Sequence, residues 1–255
     1  MKINILGADG AQNGNFNSIS ALVDGRVLID AGTGAAGLSL DDVSALGDVM
    51  LTHSHLDHTA MLCFVAESRI GNPNGHGLRV HCHPETADAI REGLLNGKIW
   101  PDFEAIKIDD VPLISFHYFK DFEPLSFDGF QATPVPVIHT VPTYGFCVSG
   151  EKENFVFISD ICDMSKETER YLNELPNFRR MTIEVSFPEG SEQLAEVSGH
   201  LTPILLERLM KRMPDLEEVF YCHVKPRYSD EIDAQMKKRF GGKIKRLQTG
   251  MQFDI

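Results

Sequence analysis

Between Thr52 and His58 the chain reads THSHLDH, placing three histidines and an aspartate within six residues, at His53, His55, Asp57 and His58. A chain with 10 histidines and 19 aspartates in 255 residues meets that spacing by accident about once in a thousand sequences, so the cluster calls for a chemical reason. Further metal-philic residues stand where apolar runs end: Asp30 closes RVLID, His139 closes PVPVIH, Asp160 closes FVFISD and His223 closes EVFYCH. Imidazoles and carboxylates without a thiolate suit Zn²⁺ first, with Mn²⁺ or Fe as alternatives, and this donor set is large enough for two ions sharing a bridge. Two such cations lower the pKa of a shared water and neutralise charge building on a phosphate, which is the chemistry of hydrolytic attack at phosphorus.

Other candidates read as structure. His81 and His83 in RVHCHPE also stand two apart, but no Asp-His follows and Pro84 opens a helix, so they are expected to be strand and capping residues. His76 lies in a Gly-rich turn and His117 beside Tyr118, both expected at the surface or in packing. Glu184 in TIEVS reads as a structural carboxylate or one supporting the ligands. His139 or His223 alone would read as a satisfied core histidine; the set is what points to a site.

These residues need a scaffold that brings distant loops together. KINILG, then SISALVDGRVLIDAG turning at Asp24-Gly25, predicts three opening strands. Helices over Leu40–Leu46 and Pro84–Leu95 flank the buried strand DVMLT. EPLSFDGFQATPVPVIHT predicts a hairpin turning at Asp128-Gly129, whose Pro134 and Pro136 suit an edge or a strand end. NFVFISD, RMTIEVS and EVFYCHV predict strands, separated by helices over Ser165–Leu175 and LTPILLERLMKRM. Strands outnumber those of a simple parallel sheet, so the expected class is α/β, with two packed sheets and helices outside. The candidate ligands then follow strand ends, in loops that a rigid core can hold.

At 42% hydrophobic and 24% charged residues, the chain suits one domain over residues 1–255 with a sizeable core. A formal net charge of −13 argues against tracking a long nucleic acid, which requires clustered Lys and Arg. A small anionic substrate stays allowed where metal ions set the local field. No apolar stretch approaches a membrane span, and no leader-like segment precedes Gly7. Five cysteines with no CxxC suit reduced thiols, hence a cytoplasmic setting.

THSHLDH with downstream His139, Asp160 and His223 resembles the metallo-β-lactamase superfamily, whose fold is an αββα sandwich with one or two metals at the sheet edge. Within it the chain most resembles the class II 3′,5′-cyclic-nucleotide phosphodiesterases, through HLDH, NGKIWPDF, PLSFDGF, PVIHTVPTYGF, FISDICD, IEVSF and GHLTP. It departs from that pattern at Thr59-Ala60-Met61 and in VAES, on the helix flanking the cleft. The resemblance implies that His53, His55 and His139 hold one divalent ion and Asp57, His58 and His223 a second, with Asp160 bridging and Asp57 counted also among the catalytic groups. Asp30 would support a ligand from behind. His200, in SGHLTP, would act over the phosphate as general acid, and Trp100 and Phe103, in IWPDF, would line the cleft against a nucleobase, although Trp100 also suits core filling. The implied reaction opens a 3′,5′-cyclic nucleotide to the 5′-monophosphate. The implied partner is that small molecule alone, with a homodimer allowed. The alternatives are another hydrolase of this fold, acting on tRNA 3′ ends, thioesters or lactones, and a cyclic-nucleotide sensor without turnover.

Overall fold

The computed structural model describes residues 1–255. Alternation along the strands assigns the layers. Val27 and Ile29 join a central cluster while Leu28 joins an outer one; Phe155 and Phe157 point inwards while Val156 and Ile158 point to the opposite outer layer. Strands buried on both faces need two covers. The sheets cover one another, and helices cover their outer faces, which is the αββα arrangement expected from the sequence.

The first sheet runs in the order Gln252–Asp254, Lys2–Gly7, Ser20–Val23, Val27–Ile29, Asp48–Met50, Leu78–Cys82, Ile114–Tyr118. The second runs Ile244–Arg246, Glu218–Cys222, Phe178–Glu184, Asn154–Phe157, Thr143–Ser149, Phe130–Val137, Leu125–Phe127. Each is antiparallel at one side and parallel at the other. Pro134 and Pro136 find the open edge that proline needs: Leu125–Phe127 pairs only as far as Ala132, and beyond it Phe130–Val137 has a partner on one side alone. The Asp24-Gly25 turn has both residues at positive φ, 47° and 71°, but Val23 pairs with Val27, so the loop holds three residues, Asp24 to Arg26, one more than the expected two-residue hairpin.

Helix ends follow local chemistry. Ser165 caps Lys166–Glu174 by accepting from the Thr168 amide, and Thr202 caps Pro203–Met210, with Pro203 at the first turn. His83 caps Pro84–Gly93, accepting from the Glu85 amide at 3.3 Å, and that helix ends two residues before the expected Leu95. Sequence patterns did not announce the helices Glu192–Ser198 and Ser229–Phe240, the small hairpin Lys107–Pro112 or the last two strands.

The loops that matter are stitched together by main-chain bonds. Ala31 donates to the His58 carbonyl at 2.8 Å, Tyr144 to that of Thr52 at 3.0 Å, and His223 to that of Ala8 at 2.8 Å. Ile138 and Cys162, next to His139 and Asp160, bind across two loops through Ile138 N to Asp163 O and Cys162 N to Ile138 O, each 2.8 Å. Asp30 and His223 both sit at positive φ, 55° and 59°, a conformation that costs roughly 1 to 3 kcal/mol and persists where surroundings over-determine it.

Candidate metal centre

The strand ends bring together two sets of side chains that could ligate a metal, around one carboxylate. On one side, His55 Nδ1 is 3.3 Å from His139 Nε2, and Asp160 Oδ2 is 3.6 Å from His139 Nε2 and 3.8 Å from His53 Nε2. On the other, Asp160 Oδ1 is 3.1 Å from His58 Nε2 and 3.3 Å from His223 Nε2, while Asp57 Oδ2 is 3.2 Å from His223 Nε2 and 3.9 Å from His58 Nε2. Metal bonds near 2.0 to 2.1 Å in a tetrahedron put ligand atoms about 3.3 Å apart, close to these spacings. Asp160 thus turns one oxygen to each set.

Behind the ligands, two hydroxyl groups each hand a histidine to a buried carboxylate. His58 Nδ1–H donates to Asp30 Oδ2 at 2.7 Å. His53 Nδ1–H donates to Thr52 Oγ1 at 3.0 Å, and that hydroxyl donates to Asp30 Oδ2 at 2.8 Å, with the Thr52 amide donating to Oδ1 at 2.8 Å. Across the site, His223 Nδ1–H donates to Ser186 Oγ at 2.8 Å, and Ser186 donates to Glu184 Oε2 at 2.6 Å. The same hydroxyl lies 2.9 Å from the His223 carbonyl, but it has one proton and the shorter, charged acceptor takes it. His139 Nδ1–H donates to the Gly199 carbonyl at 2.7 Å. In His53, His58, His139 and His223 the Nε2 atom is left facing the centre, and in His55 it is Nδ1.

The fit to a cation can be tested on charge. Asp30, Asp57, Asp160 and Glu184 have only histidines within ion-pair distance, and no Lys or Arg. Three of them are almost wholly buried, and buried charge needs a partner. His53 Nε2, His58 Nε2 and Asp160 Oδ1 are buried and make no hydrogen bond. Burial also holds the His53, His55 and His139 imidazoles below their ordinary pKa, in the neutral form that ligates. At His58 burial works the same way, but the Asp160 and Asp30 carboxylates outweigh it and favour a proton that an ion there has to displace. Divalent cations answer each of these features. Glu184, by contrast, already accepts from the Ile161 amide at 2.7 Å, from Ser186 and from His200 Nδ1 at 2.9 Å, which suits a supporting carboxylate.

A family model for the beta-lactamase superfamily domain matches residues 25–223, more than half of the chain. The chain belongs to the beta-lactamase superfamily. Among curated superfamily members it is similar to a protein of Yersinia pestis named "Probable 3′,5′-cyclic-nucleotide phosphodiesterase", 22% identical over 214 residues, which is 75% of this chain and 60% of the relative. It is also similar to 3′,5′-cyclic-nucleotide phosphodiesterase 1 of Saccharomyces cerevisiae, 24% identical over 180 residues, 62% of this chain and 48% of the relative. These matches thus span between about half and three fifths of the curated relatives' length. Unliganded yeast PDE1 superposes with a TM-score of 0.80 at 18% identity, covering 100% of this chain and 99% of that one. The metallo-beta-lactamase fold protein YhfI of Bacillus subtilis superposes at 0.74 and 19% identity, covering 99% and 98%. At such identities the superpositions establish the metallo-β-lactamase fold, and the superfamily implies divalent metal ions.

The aromatic expectations fare differently. Phe103 is 3% exposed inside the core cluster under the first sheet, so its ring has no face left for a ligand, and its expected place in the cleft is corrected. Trp100 is half-buried at the margin of that cluster, edge-on to Phe64 with ring centroids 5.0 Å apart. The ring that does touch the site is Phe187, 5.8 Å from His200 and absent from the sequence reading. The motif IEVSF holds both Phe187 and Ser186, and nothing local in it marks either for the site. His81 pairs with Asp48 of the neighbouring strand at 2.7 Å, consistent with a structural role. A cavity of about 730 Å³ opens far from the ligands, at the amino ends of the first sheet's strands, where Arg79 is tied to Asp48 and Arg69 to the carbonyls of Val43 and Gly75.

Replacing Thr52 by Val keeps the shape but removes the hydroxyl between His53 and Asp30. Such supporting contacts typically contribute about 10- to 100-fold in metal affinity. Zinc competition against a chromogenic chelator is expected to show a loss of that size in Thr52→Val, with melting of the metal-free chain little changed. Equal affinities in the two proteins would remove Thr52 from the support of His53.

Proposed function

We propose that the protein hydrolyses a 3′,5′-cyclic nucleotide to the nucleoside 5′-monophosphate, with two divalent transition-metal ions, Zn²⁺ first among them. The observation that carries the hydrolytic reading is Asp160, 1% exposed, with one oxygen towards His53, His55 and His139 and the other towards Asp57, His58 and His223. The substrate class is supported by the names of the two curated relatives.

In this reading those six residues would hold the ions, with Asp160 bridging and Asp57, whose side chain is 30% exposed, on the open side. Bound there, two divalent ions would activate water near neutral pH and offset charge developing on the phosphate. In this reading His200 would serve the leaving group. Its Nδ1–H donates to Glu184 Oε1 at 2.9 Å, which fixes the ring and leaves Nε2 to carry the proton. Burial works against a charged His200, but the Glu184 and Asp160 carboxylates outweigh it and hold its pKa above the ordinary imidazole value. In this reading the protonated ring would give its Nε2 proton to O3′ as the bond to phosphorus breaks.

The test is product identification. Zinc-loaded protein incubated with cyclic AMP, cyclic GMP and linear dinucleotides is expected to release 5′-monophosphates from the cyclic substrates, resolved by chromatography from the 3′ isomers. Turnover confined to linear diesters, or a 3′-monophosphate product, would sink the reading.

A further inference from the structure

The outward route from the metal centre is paved with rings. From His139 the next ring is His200 at 5.1 Å, then Phe187 at 5.8 Å, then Tyr228 at 6.1 Å. His200 is buried, whereas Phe187 and Tyr228 are half-buried. Phe187 joins none of the three core clusters, although a phenylalanine at the end of a core strand would ordinarily be spent there. Its backbone is nonetheless fixed. Its amide donates to the Leu201 carbonyl at 3.2 Å, beside His200, and the preceding Ser186 is locked to Glu184 and His223. Tyr228 closes the turn Pro226–Tyr228, five residues after His223, and its amide donates to the Lys225 carbonyl at 2.9 Å. The strand ends after Glu184 and Cys222, the second carrying His223, thus bring one aromatic pair beside His200, with Tyr228 backed by the core under the second sheet.

We propose that Phe187, backed by Tyr228, is the stacking wall for the substrate's nucleobase. This rests on the proposed function, since it takes the phosphate to lie over the metal ligands with His200 at O3′. The base, joined through the ribose, then falls on the next ring outward, which is Phe187 and neither Trp100 nor Phe103. A stacking wall reads the π-face common to all bases, so it selects for a base without choosing among them. Phe187 therefore determines that a nucleotide is taken in preference to a simple sugar phosphate.

Product binding tests this without turnover. Calorimetry on the zinc-loaded full chain compares adenosine 5′-monophosphate with ribose 5-phosphate, which has an anomeric hydroxyl in place of the base. The wild-type protein is expected to favour the nucleotide by roughly 5- to 100-fold, the range that stacking on one base supports. In Phe187→Leu, which keeps apolar volume but no π-face, that preference should fall to about threefold or less while ribose 5-phosphate binds as before. Tyr228→Leu should show a smaller loss in the same direction, and it decides the matter if Phe187→Leu proves to bind less zinc. No preference in the wild type, or a preference unchanged in the variants, overturns the wall. Cyclic-nucleotide turnover by the wild type is scored separately. A protein that fails there but keeps a Phe187-dependent preference for the monophosphate loses the proposed function and retains the wall; the converse pattern loses the wall alone.

Discussion

Asp160→Asn protein saturated with zinc is expected to retain at most one ion per chain, and to hydrolyse bis(p-nitrophenyl) phosphate at least about 100-fold more slowly than the wild type. The side chain is 1% exposed, and its two oxygens lie 3.1 to 3.8 Å from four imidazole nitrogens, two on each side. An amide keeps the shape but turns an NH₂ group, which cannot ligate, towards one set, and it removes the negative charge that both sets share. Deleting one member of a buried ionic arrangement typically costs about 3 to 5 kcal/mol, or two to four orders of magnitude in an equilibrium. Elemental analysis and circular dichroism together separate loss of metal from loss of fold. Two ions bound at wild-type affinity by Asp160→Asn would mean that Asp160 does not bridge, and the hydrolytic reading would lose the observation that carries it.

The residues gathered at this site could be read from the sequence because their signals are local. His53 to His58 lie in one loop, and Asp30, His139, Asp160 and His223 each follow an apolar strand whose pattern is plain. The hydroxyl relays were not legible for the opposite reason. Thr52 reaches Asp30, 22 positions away, and Ser186 reaches His223, 37 away, and a lone Thr or Ser carries no periodic mark of such a contact. Aromatic residues mislead in the same manner: IWPDF and IEVSF offer equal rings, and only the packing sends Phe103 into the core and Phe187 to His200. The helix Ser229–Phe240 escaped notice because, beyond its first residue, only Ile232 and Met236 are buried, a stripe too narrow to mark an amphipathic helix. The closing strand is three residues long and finds its partner at the opposite terminus, pairing Asp254 with Lys2, a contact no local pattern announces.

His200→Ala is expected to lower kcat on cyclic AMP by roughly 10²- to 10⁴-fold, the range of a lost general acid, while the zinc content stays at the wild-type value. The ring touches His139 and His223 at centroid distances of 5.1 and 5.2 Å, but its Nδ1 is spent on Glu184, so its removal withdraws no ligand from the two sets around Asp160. What it withdraws is the proton for O3′. An alkoxide leaves poorly without that proton, whereas p-nitrophenolate leaves readily, so bis(p-nitrophenyl) phosphate should be spared most of the loss. The pH profile supplies a second readout. A general acid works in its protonated form, so the rate on cyclic AMP should fall as pH rises through the His200 pKa, which the Glu184 carboxylate holds up. Glu184→Gln removes the carboxylate that raises it, and the falling limb should move to lower pH with cyclic AMP and stay in place with the p-nitrophenyl diester. Equal loss on both substrates in His200→Ala, with metal intact, would instead make His200 a clamp on the phosphoryl oxygens, because a clamp serves every diester whatever group departs.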